Sequence, residues 1–198
     1  MSPRPIEFPV EGLSDGRVRL RLPADADVPR IVEACRDPEV IRYTTVPANY
    51  RPQHTVEWMQ RGMASLAAGT DVHTVIAEAD GSDVLGTISL HEINRIASRC
   101  VAGYLTGPWA RGRGVATRAL RLLCGFAFTE LRLARVEVTI EPQNTASRAT
   151  ATSAGFREEG LLRSYMPIAG QRRDMLMYSL LPGDLDRAPD GRGATLEG

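Results

Sequence analysis

The sequence predicts an α/β fold on a mixed sheet, in the order β-α-α-β-β-β-α-β-α-β-β. Three observations carry this reading. "GRVRLRL" at 16–22 alternates apolar residues with arginine, the period of a half-buried strand. Between 72 and 106 three β-branched or alternating runs follow one another with short links, which reads as an antiparallel meander. From 114 onward, two segments of helical period flank the strongly β-branched "ARVEVTIEP" of 134–142.

The elements follow in order. Pro23 closes the first strand, and "DADVPRIVEACRD" (25–37) opens on an aspartate suited to capping and then carries helical spacing. Pro38, Pro47 and Pro52 break 38–53 into a loop or a short helix. A second helix spans 54–69 and stops at Gly69. Strands are expected at 72–79, 83–93 and 99–106, with "DGS" turning the chain between the first two. In the helix at about 114–131, Val115, Ala119, Leu122, Leu123, Phe126 and Ala127 share one face, opposite Arg118, Arg121 and Thr129. Asn144 is placed to cap the next helix and Gly155 to end it. "FREEGLLRSY" and "RRDMLMYSLL" supply the last two strands. We read 1–15 as an N-terminal extension, 16–181 as a single domain and 182–198 as a loose C-terminal tail without periodicity.

Composition narrows the function. The chain has 198 residues, 43% of them hydrophobic, enough for one core. Its 24 basic residues, all arginine, balance 24 acidic ones. No net field draws it to nucleic acid or to an anionic membrane. Cys35, Cys100 and Cys124 are odd in number and widely spaced, neither a disulfide framework nor a CxxC metal pattern. His54, His73 and His91 form no HxxxH or HExxH motif, so no metal is expected. No apolar run is long enough to span a bilayer, and "MSPRPIEFPV" holds no signal core; a cytoplasmic setting is expected.

The densest chemical signal is "GPWARGRGVATRAL" (107–120), a strand leading through a glycine-rich turn into a helix. Early helical N–H groups lack intrahelical acceptors and sit at the positive end of the dipole. Glycines let the backbone curl into a concave set of donors suited to a phosphate, with Arg111 and Arg113 at its rim. A tight turn with solvated arginines is the alternative. A Walker loop is excluded because there is no lysine. A dinucleotide fingerprint is excluded because Thr117 stands where its third small residue belongs.

Arg111-x-x-Gly114-x-Ala116 resembles the [QR]-x-x-G-x-[GA] signature of the GNAT N-acetyltransferase superfamily. The resemblance extends in register from about 83 to 181, through "RVEVTIEPQNTASRATATSAGF" and the C-terminal strands. It is nearest to the branch of ribosomal-protein N-terminal acetyltransferases. The resemblance implies a mostly antiparallel sheet splayed at the cofactor site, and transfer of acetyl from acetyl-CoA to a primary amine by direct attack. The acceptor would be a protein N-terminus or a small amine. Dimers are common in the family, but no feature of this sequence requires one.

By the same resemblance, Arg111, Gly112, Arg113, Gly114, Val115, Ala116 and Thr117 would hold the pyrophosphate, while Tyr104, Leu105 and Thr106 would line the pantetheine arm. Asn144 would touch that arm, and Ser147 would bind the departing thiolate. Many members carry a tyrosine seven residues after the asparagine as general acid; here that position is Ala151, which leaves Ser147 or water. Among Glu92, Glu137 and Glu141, Glu92 is ranked first as general base, because it ends a strand on the presumed substrate side. Val101 is apolar where relatives often carry an acid, so it supplies no base. Tyr43, Tyr50, Trp58 and Tyr165 are candidates for an acceptor pocket. Two other readings stay open: a non-catalytic acyl-CoA-binding module, and transfer of a different acyl group such as succinyl.

Overall fold

A computed structural model describes residues 4–185. Its eight strands form one open sheet in the order β1-β2-β3-β4-β5-β6-β8-β7. The strands are β1 (Leu13–Ser14), β2 (Val18–Arg21), β3 (Val72–Glu78), β4 (Val84–Asn94), β5 (Arg99–Thr106), β6 (Arg135–Ile140), β7 (Arg157–Ile168) and β8 (Gln171–Leu180). The helices are α1 (Val28–Cys35), α2 (Pro38–Tyr43), α3 (Pro52–Ala68), α4 (Val115–Thr129), α5 (Thr145–Ala154) and a short α6 (Pro182–Leu185). The predicted order is recovered, with β1 and α6 added at the ends and the short helix α2 formed within 38–53.

Helices cover both faces of the central strands. Along β3, Val72 and Ile76 join the core under α4, whereas Val75 joins Ile31, Val32 and Cys35 of α1 on the other side. A strand buried on both faces reads as a continuous apolar run, which is how β3 is written. Helix α4 seals its face with Val115, Ala119, Leu120, Leu123, Cys124, Phe126 and Ala127. Each large apolar side chain buried there contributes about 1.5–3 kcal/mol. Leu122, expected on that stripe, is only half-buried, and Leu120 and Cys124 take the deeper places.

Ile6 and Phe8, within the predicted N-terminal extension, pack into this same core, and Phe8 lies 5.2 Å from Phe126 between ring centroids. At the other end, Leu185 of α6 packs on the core and Asp184 pairs with Arg157 at 2.6 Å. The first four residues of the segment expected as a loose tail are thus docked; 186–198 lie outside the described residues.

One sheet pairing matters most. β5 and β6 are parallel, yet they pair only at Arg99–Arg135, Cys100–Val136 and Val101–Glu137. Beyond Val101, β5 continues on β4 alone and β6 on β8 alone. The two strands therefore diverge and leave a gap from Ala102 onward.

Candidate active site

The gap is floored by β5. The Gly107 N–H donates to the Leu85 carbonyl at 2.9 Å. Because antiparallel bonding alternates along a strand, the N–H groups of Tyr104 and Thr106 then face away from β4, into the gap. A 3-10 turn at Pro108–Ala110 leads to α4, and Trp109 fixes it by donating Nε1–H to the Val84 carbonyl at 3.0 Å while Arg30 stacks 3.7 Å above its ring.

Gly114 is the N-cap of α4 at φ 71°, and Gly112 also has φ 71°. This left-handed region costs a residue with a Cβ roughly 1–2 kcal/mol. A Cβ at either position would meet nothing within 4 Å, so both glycines border open space. The first intrahelical bond runs from the Arg118 N–H to the Gly114 carbonyl at 3.1 Å. The amides of Val115, Ala116 and Thr117 therefore have no acceptor inside the helix.

Across the gap, Asn144 caps α5 by accepting the Ser147 N–H at 3.0 Å. Ser147 Oγ lies 2.8 Å from the Tyr104 hydroxyl, which also donates to the Ser147 carbonyl at 3.1 Å. Burial pushes the Tyr104 phenol up to about 12 despite the Ser147 hydrogen bond, so it stays protonated at neutral pH.

These elements enclose a cleft of about 390 Å³, within the usual range for small-molecule sites. It gathers Tyr104, Leu105, Thr106, Arg111, Gly112, Gly114, Val115, Ala116, Thr117, Asn144 and Ser147, together with Glu39, Val40, Tyr43 and Thr44 from the α2 region. The arrangement fits an acyl-CoA: free amides and glycines for the phosphates, a strand edge for the pantetheine amides, and hydroxyls at the thiol end.

Two predicted residues lie elsewhere. Arg113 does not line the cleft; it is half-exposed and pairs with Glu78 at 2.8 Å. Glu92 does not line it either. The register of β4 on β5 shifts between His91 and Asn94, and Glu92 sits in that irregularity at φ 52°, exposed, with its N–H donating to Asp71 at 3.2 Å. Strand alternation carries no mark of such a bulge. Arg111 does reach the rim, but it is engaged with Asp37, the N-cap of α2, and with Glu39 at 3.1 Å. Burial opposes ionisation of Asp37, yet the Arg111 guanidinium and the two capping amides outweigh it and hold the carboxyl low.

The other acidic candidates face the α1–α3 side of the sheet. Glu137 is clasped between Arg135 at 2.6 Å and Arg99 at 3.0 Å. Glu141 is buried, with Arg173 3.9 Å from Oε1 and no partner for Oε2. Tyr43 lines the cleft, Tyr50 is buried against Thr55, and Tyr165 is exposed. Trp58 stacks on His73 with centroids 5.2 Å apart.

Sequence motifs miss one cluster altogether. His91 Nδ1 lies 3.5 Å from Asp71 Oδ1, and His73 meets the His91 ring edge-on at 5.3 Å. His73 and His91 come from the neighbouring strands β3 and β4, with Asp71 just before β3, so no linear motif brings His91 to the other two. The three cysteines are buried and free; burial pushes the Cys35 thiol up to about 11 and the Cys100 thiol to about 12. No helix among the described residues is long and apolar enough to cross a membrane.

Comparison with known proteins agrees with this geometry. The family model described as "Acetyltransferase (GNAT) domain" matches residues 17–157. The chain is 32% identical over 158 residues to "Uncharacterized N-acetyltransferase p20" of Bacillus licheniformis, covering 79% of this chain and 87% of that protein. It is 24% identical over 117 residues to the [ribosomal protein uS5]-alanine N-acetyltransferase of Escherichia coli, covering 59% of this chain and 60% of the relative. Among solved structures, Mycobacterium smegmatis RimJ in complex with CoA-disulfide superposes with a TM-score of 0.78 at 25% identity, over 86% of this chain and 85% of that one.

Proposed function

The chain belongs to the GNAT family of acyl-CoA-dependent acetyltransferases, and from that premise we propose that it transfers acetyl from acetyl-CoA to a primary amine, the α-amine of a protein N-terminus or a small amine. The observation that carries the reading is the gap between β5 and β6, bounded by the free amides of α4 and by the Tyr104–Ser147 pair.

The residues divide the work. Val115, Ala116 and Thr117 amides, with Gly112 and Gly114, hold the pyrophosphate, and Arg111 adds charge at the rim. Leu105 and the strand edge of Tyr104 and Thr106 take the pantetheine arm, which Asn144 meets from α5. An N–H in the gap stabilises the oxyanion of the tetrahedral intermediate; one preorganised donor of this kind is typically worth about 3–4 kcal/mol. When the carbon–sulfur bond breaks, Ser147 Oγ, backed by the Tyr104 hydroxyl, protonates the thiolate. Buried thiols with raised pKa supply no acyl-enzyme nucleophile, which favours direct attack. The same free, buried thiols suit a reducing cytoplasm.

Thermal melting with acetyl-CoA, followed by a thiol-release assay over N-terminal peptides and small amines, tests the proposal. Acetyl-CoA at 100 times its Kd stabilises by about 2.7 kcal/mol. Release above hydrolysis supports transfer. A melting shift without release on any acceptor supports a binding module, and no shift at all removes both.

A further inference from the structure

Resting on the transferase reading above, we propose that His91, oriented by Asp71, is the general base that takes the proton from the attacking amine. The geometry behind this is a division between the two faces of β5. The Tyr104 side chain turns toward α5 and meets Ser147 at the thiolate end of the cleft. Gly103, its neighbour, turns to the opposite face, where a Cβ on it would lie 3.6 Å from His91 Nε2. Gly103 has no Cβ, so nothing of its own stands between the imidazole and the opening of the gap. His91 does not itself line the cleft; it faces the side from which an amine would approach across the α1–α3 face of the sheet.

His91 also stands at the mouth of the gap. It is the cross-strand partner of Val101, the last β5 residue paired to β6. The base is thus offered from the adjacent strand, on the same face. Asp71, just before β3, lies 3.5 Å from Nδ1, and a proton held on that nitrogen beside the carboxylate would leave the Nε2 lone pair directed toward Gly103. The site is built rather than incidental. His73 is buried between the Trp58 ring and Gly62 of α3, where a Cβ would come within 2.8 Å of His73 Cβ.

Two competing carboxylates are poorly disposed. Glu92 is turned outward by the bulge, and Glu137 is held by two guanidiniums. Glu141, just past the end of β6, is buried with Arg173 3.9 Å from one oxygen, and it is the competing base that the variants below separate from His91. The titratable and charged groups around His91 are Asp71 just before β3, His73 on β3, Arg61 on α3 behind His73, Arg99 on β5 with its partner Glu137 on β6, and Glu92 beside it. Burial first, and then His91, lower the His73 pKa, so His73 brings no second charge to the site at neutral pH.

The step balances. The amine nitrogen bonds to the thioester carbon and loses one proton to His91 Nε2, directly or through one water. The carbon–sulfur bond breaks, its electron pair leaves on sulfur, and the Ser147–Tyr104 hydroxyls protonate the thiolate. Solvent then returns a proton to the hydroxyls and removes one from the imidazole.

The test uses the full chain and its best acceptor from a panel of free-N-terminus peptides and polyamines. His91→Gln should keep acetyl-CoA affinity within about threefold and lose about 10²–10⁴-fold in kcat/KM at neutral pH, the usual worth of a positioned base. The imidazole limb of the kcat/KM–pH profile should disappear in this variant, leaving only the limb set by the acceptor amine's own ionisation. Asp71→Asn should retain the imidazole limb at a displaced position, as befits a positioning residue. His91→Ala should recover rate with added imidazole, because the side chain is 41% exposed. A folded His91→Gln with wild-type rate and profile overturns the inference, as does loss of the limb in Glu141→Gln instead. Should His91→Gln melt early, the Asp71→Asn profile and the imidazole rescue decide, and failure of both overturns it. A wild type that binds acetyl-CoA but acetylates nothing refutes the transferase reading, a failure visible before any variant is made.

Discussion

The Tyr104 hydroxyl and Ser147 Oγ lie 2.8 Å apart, tying β5 to α5 across the gap. On the transferase reading proposed above, the pair supplies a phenol at the thiolate end of the cleft, while position 151 is a buried alanine. Tyr104→Phe and Ser147→Ala should each lower kcat by about 10²-fold, the lower end for a positioned acid, while leaving acetyl-CoA affinity nearly unchanged. The double variant should be little worse than either single one, because both act through one hydrogen bond. Steady-state kinetics with calorimetric titration of acetyl-CoA checks this; additive losses would mean that the two hydroxyls act separately. Tyr104→Phe should also cost about 1 kcal/mol of stability.

Gly114→Val isolates the cofactor loop. The left-handed φ of 71° costs a residue with a Cβ about 1–2 kcal/mol, more for a β-branched one, and the new side chain enters space open to the ligand. The variant should fold, with Tm lowered by a few degrees, and lose the acetyl-CoA melting shift. An unchanged shift would remove the pyrophosphate assignment from this loop.

What the sequence could and could not reveal follows from the range of each interaction. The α4 loop, the Asn144 cap and the Gly155 stop depend on neighbours within one turn, and all are legible as local patterns. Tyr104 and Ser147 are 43 residues apart, and Arg111 meets Asp37 across 74. Such contacts arise only once the sheet is assembled. Asp71 and His91 meet through cross-strand register, and Glu92 is diverted by a bulge that strand alternation does not encode. The Ile6 and Phe8 packing went unread because a proline-rich start masks two core residues.

Gly62→Ala tests the support behind His73. A Cβ there would lie 2.8 Å from His73 Cβ and 2.9 Å from Nδ1, so the helix or the imidazole must move. Overpacking costs about 1–3 kcal/mol, against a gain of up to about 1 kcal/mol for alanine over glycine in a helix. A net loss is expected, seen as a lower Tm, with kcat/KM falling while acetyl-CoA binding persists. A stabilised, fully active variant would show that the close approach of α3 to β3 does not matter.

The Arg135–Glu159 pair predicts an acid-sensitive contribution. The Arg135 guanidinium, followed by the Ser179 hydroxyl, lowers the Glu159 carboxyl from 4.5 to about 2. A carboxylate whose folded pKa is depressed stabilises the protein above its unfolded pKa and loses that contribution as pH falls through the folded one. The loss therefore runs from about pH 4.5 down to about pH 2. Glu159 is 42% exposed, so the effect is screened and should stay below ~1 kcal/mol. Glu159→Gln should lower stability at pH 7 by up to that amount and remove the corresponding acid dependence of urea unfolding between about pH 4.5 and about pH 2.

The cysteines give the simplest check on the core. Cys35, Cys100 and Cys124 are buried, and burial pushes the Cys35 thiol up to about 11, the Cys100 thiol to about 12 and Cys124 well above its ordinary value. At pH 8 hardly any thiolate exists in the native state, and a thiol reagent cannot reach the sulfur without local opening. Native protein should therefore label slowly with an aromatic disulfide reagent, and all three thiols should react at once in denaturant. Rapid labelling of one thiol in the native state, suppressed by acetyl-CoA, would instead put a reactive cysteine in the cleft. That outcome would reopen the acyl-enzyme route that burial of all three sulfurs argues against.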